Sequence, residues 1–186
     1  MKKSLAITCS FILAATVAGA FDLPGGGGGK VDTKKFDELI TSIEEISVNL
    51  DAAKVKIDEC DSTLAAIAEA HGIADLMSDP AKVAEIKDAI TDDDKAKLQA
   101  QVESVQTVPD DLNAIIAKAT EIMGKIPDAL TDLVSQIKAN PMAAKDLKDK
   151  QAKLQEGKTA LEQITTDAPT LVESATNLAS TITGLM

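Results

Sequence analysis

The chain has 186 residues, 45% of them hydrophobic, 26% charged and 2% aromatic, with 19 basic side chains against 30 acidic ones. Without Trp, Tyr or Arg it lacks ring surfaces on which bases stack, and a net charge of −11 opposes a phosphate backbone, so nucleic acid is not an expected partner. A single His and two Cys offer little from which to build a metal centre or an acid–base cluster, so no cofactor and no enzymatic activity are expected.

The chain opens on Met1-Lys2-Lys3, an apolar stretch from Leu5 to Ala18, and Ala18-Gly19-Ala20. Basic, apolar and small in that order describe a secretory signal, and cleavage is expected after Ala20. The apolar stretch is short for a membrane span, which needs about 20 residues. The Lys-led start resembles bacterial signals, so the expected destination is the periplasm, the outer surface or the medium. Cys9 follows Thr8 inside the apolar stretch rather than after it, which argues against a lipid anchor. Cleavage removes Cys9, Lys2 and Lys3 but no acid, taking the net charge to −13. Cys60 is then left without an intramolecular disulfide partner.

Residues 21–31 read as a flexible tether, because Pro24 is followed by five glycines. A phosphate-binding loop would need a preceding strand and Gly-Lys-Ser/Thr, whereas Lys30 is followed by Val31.

Residues 32–186 carry the pattern of a helical domain. With Phe36 as position a, the series Phe36, Ile43, Leu50, Ile57, Leu64 and His71 alternates with d positions Leu39, Ile46, Ala53, Cys60 and Ile67. Unbroken 3,4 spacing over five heptads predicts a coiled-coil-like helix on the order of 60 Å long. Asp32 or Thr33 is placed to cap its start, and Gly72 to end it in the left-handed conformation.

Ser78-Asp79-Pro80 and Thr91 with Asp92, Asp93 and Asp94 are two further helix starts. The first leads into Val83, Ile86 and Ile90. The second leads into Leu98, Val102 and Val105, ending at Val108-Pro109. A seam then reads Leu112, Ile116, Ala119, Met123, Ile126, Leu130, Leu133 and Ile137 up to Asn140-Pro141. A last seam starts at Ala143 and Leu147, passes Lys150, Leu154, Gly157, Leu161, Ile164, Ala168, Leu171, Ala175, Leu178 and Ile182, and ends at Leu185. Pro127 and Pro169 keep the 3,4 phase, which favours kinks over breaks. The expected fold is all-α: an elongated antiparallel bundle of about four helical segments.

Few residues invite a chemical reading. Asp92, Asp93 and Asp94 lack the alternate spacing and central Gly of a calcium loop. His71 reads as helix-end packing, and Cys60 as a small buried hydrophobe whose alternative role is an interchain disulfide. Val48 and Val55, both at f positions, with Ala52 nearby, put apolar groups on the side of the first helix that faces away from its seam. Either another helix of the bundle or a partner covers them. The leading expectation is an exported structural or interaction protein that associates with itself or with another protein. The alternative is an amphipathic carrier of lipid or another apolar ligand, disfavoured by the acidic charge and the missing Trp.

Overall fold

A computed structural model describes residues 31–73 and 87–186. The signal peptide, nearly all of the tether and the helix start at Ser78-Asp79-Pro80 lie outside these residues, as do Val83 and Ile86. The regular structure of the described residues is entirely helical: α1 (Lys34–Ala70), α2 (Asp92–Val105), α3 (Val108–Ala139) and α4 (Ala144–Leu185). Single turns of 3-10 helix at Lys87–Ala89 and Pro141–Ala143 precede α2 and α4.

Both ends of α1 and the start of α2 fall where the sequence places them, for identifiable reasons, whereas α2 ends at Val105 and Val108-Pro109, expected as its end, opens α3. At the start of α1, Asp32 Oδ1 accepts from the Lys34 amide at 3.1 Å, and the Thr33 hydroxyl donates to Asp37 at 3.0 Å. At its end Gly72 takes φ +65°; the Ile73 amide donates back to Ala68 O at 2.8 Å and the Gly72 amide to Glu69 O at 3.1 Å. This pair of bonds is a Schellman closure, and Ile73 is buried beside it. Thr91 caps α2 by accepting from the Asp94 amide. Pro127 and Pro169 lie inside continuous helices, both on the exposed side.

Cross-helix ion pairs reveal the directions. Lys35 pairs with Asp132, Glu45 with Lys118 at 3.1 Å, and Lys56 with Asp111 at 3.3 Å. Ascending numbers on α1 meet descending numbers on α3, so the two helices run in opposite directions. Asp37 pairs with Lys150, and Ile43 lies against Gly157, so α1 and α4 run in the same direction. The start of α2 sits beside His71, and Thr107, at its far end, lies 3.5 Å from the Lys56 ammonium. α2 and α3 therefore follow one another down the same side of α1 and barely touch each other.

Among the described residues the four helices make three columns, α1, α2 with α3, and α4, rather than four side by side. At about 1.5 Å per residue, α4 alone is about 63 Å long.

The seams of α1 and α4 are buried nearly as the spacing predicts. Phe36, Cys60, Leu154, Leu161 and Ile182 are fully enclosed. On α3 the expected seam is one residue out at alternate positions. The buried line is Leu112, Ile115, Ala119, Ile122, Ile126, Ala129 and Leu133, while Ile116, Met123, Leu130 and Ile137 flank it half-covered.

Candidate functional site

The titratable residues with chemical potential are placed in structural roles. Cys60 is completely buried in the α1 seam, and its thiol is pushed up, first by burial and then by the neighbouring Asp61 carboxylate. A thiol held this way is a poor nucleophile, and an interchain disulfide would require the core to open. His71, at the end of α1, places Nε2 2.9 Å from Asp94 Oδ2 in the first turn of α2. That carboxylate also receives the Lys97 ammonium at 2.8 Å and the Thr91 hydroxyl at 2.8 Å.

Hydrogen bonds from Lys97, His71 and Thr91, in that order, hold the Asp94 carboxyl far below the usual carboxylate range. An ionised carboxylate has no proton to give, so His71 Nε2–H donates. The partner of His71 lies 23 residues away, a link no local pattern announces. The cluster ties the end of one helix to the start of another. Among the described residues, no group of three or more His, Cys, Asp or Glu side chains is disposed to hold a metal ion.

The expected partner surface behaves differently. Val48 is 67% exposed and Val55 52% exposed, with no helix of the described chain laid over them. Ala52 is exposed as well. Seven residues of helix separate the two valines by about 10 Å on one side of α1. The structure divides the trio by neighbour. Val48 borders a groove between α1 and α4, Ala52 lines a hollow between α1 and α3, and Val55 lines neither.

The two valleys beside α1 are built differently. The one toward α3 has a volume of about 390 Å³ and is lined by both partners of the Lys56–Asp111 pair, with Lys118, held by Glu45, at its other end. The one toward α4 consists of two joined hollows of about 310 and 340 Å³. Small side chains line that space: Ser47 on α1 and Ala160 on α4, with Gly157 beside them. At Gly157 the missing Cβ makes room for Ile43, whose Cδ1 would lie 2.6 Å from a Cβ built there. Sequence spacing put Gly157 on the seam but could not show that Ile43 of α1 packs against it.

Comparison with models of known protein families, with curated proteins and with solved structures finds no match to this chain. No described helix is long and apolar enough to cross a membrane. The functional reading therefore rests on the geometry of the α1 face.

Proposed function

We propose that this protein is an exported, non-enzymatic helical interaction protein: an elongated bundle with coiled-coil-like seams that presents the outward face of α1 to a protein partner. One observation carries the reading. Two large β-branched residues, Val48 and Val55, stand exposed on the same side of a helix whose own seam is already buried. Isolated apolar residues on a surface are ordinary, but two in helical register, with Val48 bordering the α1–α4 groove, form a patch of the kind that partners cover. The buried Cys60 and the structural His71–Asp94 link are consistent with a protein that binds rather than catalyses.

The test is the double substitution Val48→Asp with Val55→Asp. Both side chains are exposed, so the melting curve should stay close to that of the parent, within about 0.5 kcal/mol for each substitution. Association, followed by sedimentation and by crosslinking, should fall. A folded variant with unchanged association would remove this face from consideration. A monomer that copurifies with lipid would favour the carrier reading instead.

A further inference from the structure

We infer that the groove between α1 and α4 seats a cationic amphipathic helix of a partner protein. This rests on the reading above, that the α1 face engages a protein, and adds which chemistry it selects.

Shape is the first argument. The two hollows share Ser47, Asp51, Glu156 and Ala160, so they form one trough. It runs from Ile40 to Lys54 on α1 and from Lys153 to Asp167 on α4. Fourteen residue steps on each wall correspond to about 21 Å, the length of about four helical turns. Ile40 and Ile43 supply apolar floor at one end, Leu50 and Ile164 at the other. An apolar trough of this length suits an amphipathic helix with residues at i, i+3 or i+4, and i+7 as anchors.

Charge chooses the occupant. Glu44 and Asp51 stand on the α1 wall, and Glu156 and Asp167 on the α4 wall. Among the described residues no ion pair crosses this groove, in contrast to the α1–α3 side. Lys54 is turned to Asp51 on its own helix at 3.6 Å, and Lys153 is the other cation of the lining. The lining thus carries four carboxylates against two lysines, and a Lys- or Arg-bearing helix laid in the trough balances that excess of negative charge. A second copy would bring the same acidic walls and an overall charge of −11, which disfavours self-docking here.

The probe is a synthetic 14-residue helical peptide, Leu on one face and Lys elsewhere, labelled and titrated with the purified protein by fluorescence anisotropy. Saturable one-to-one binding is expected. It should weaken at least tenfold in Glu44→Lys/Glu156→Lys and in Ala160→Gln, which fills the trough. The control pair Glu103→Lys/Asp128→Lys makes the same charge change away from the groove and should lose less than threefold. The Glu-for-Lys peptide should not bind. Equal loss in the control pair, or full binding by Ala160→Gln with a parent-like melting curve, would overturn the inference. So would a dimer seen in sedimentation that dissociates on Glu44→Lys/Glu156→Lys. Failure of the peptide to bind, with association still sensitive to Val48→Asp/Val55→Asp, would overturn the groove alone and leave the α1 face standing.

Discussion

Gly157 sets how closely α1 and α4 approach. An alanine there would gain about 1 kcal/mol of helix propensity, yet its Cβ would meet Ile43 Cδ1 at 2.6 Å and Cγ2 at 3.2 Å. Packing should win, and Gly157→Ala should destabilise the protein. Ile43→Val deletes the offending methyl and alone costs about 0.5–1.5 kcal/mol. The double variant should be more stable than the two single changes sum to, measured by denaturant unfolding. Strict additivity would mean that Ile43 turns aside freely.

Asp94 gives a pH signature. Its folded pKa lies below the ordinary carboxylate value, so the unfolded chain binds the proton first as pH falls. The stability this carboxylate contributes is complete above about pH 4 and is lost as pH drops below that. Asp94→Asn should be less stable than the parent at pH 7 and show a flatter decline between about pH 4 and 2. Parallel acid-melting curves would contradict the role given to this carboxylate.

Helices were legible to the extent that one residue type dominated each face. On α1 the a and d positions alternate cleanly with polar ones, and the burial pattern follows the spacing, with Leu39 and His71 only part-covered at the ends. On α3 neighbouring apolar pairs, Ile115-Ile116, Ile122-Met123 and Ala129-Leu130, satisfy either of two heptad phases. Only contact with two other columns chooses between them. The choice can be measured: Ile122 is buried and Met123 half-covered. Ile122→Ala should cost about 2–5 kcal/mol and Met123→Ala less, by denaturant unfolding. The reverse order would restore the phase read from spacing. Val108-Pro109 looked like the end of α2, but that helix stops at Val105 and, after two residues, Val108-Pro109 opens α3. That end-to-end succession, and with it the count of three columns, depends on contacts beyond any local pattern.

The molecule as a whole combines a firmly tied register with one valley left open. Ion pairs bridge α1 to α3 along the column, and Asp37–Lys150 ties α1 to α4 near their starts. Such exposed pairs add little stability, but they select one alignment among the several that aliphatic seams permit. Beyond Asp37–Lys150 the α1–α4 side carries carboxylates, small residues and Val48, and that surface has no use within the described chain. Its candidate site was half legible: the valines stood out by helical phase, whereas the groove needed two helices 113 residues apart in sequence to be brought side by side, as the Asp37–Lys150 contact shows. The most direct measurement is crosslinking in the cells that make the protein, read by mass spectrometry, for the parent and for Val48→Asp/Val55→Asp side by side. A discrete protein crosslinked to the α1 face of the parent and lost from the folded variant is the expected result. The same crosslinked set in both would contradict the account.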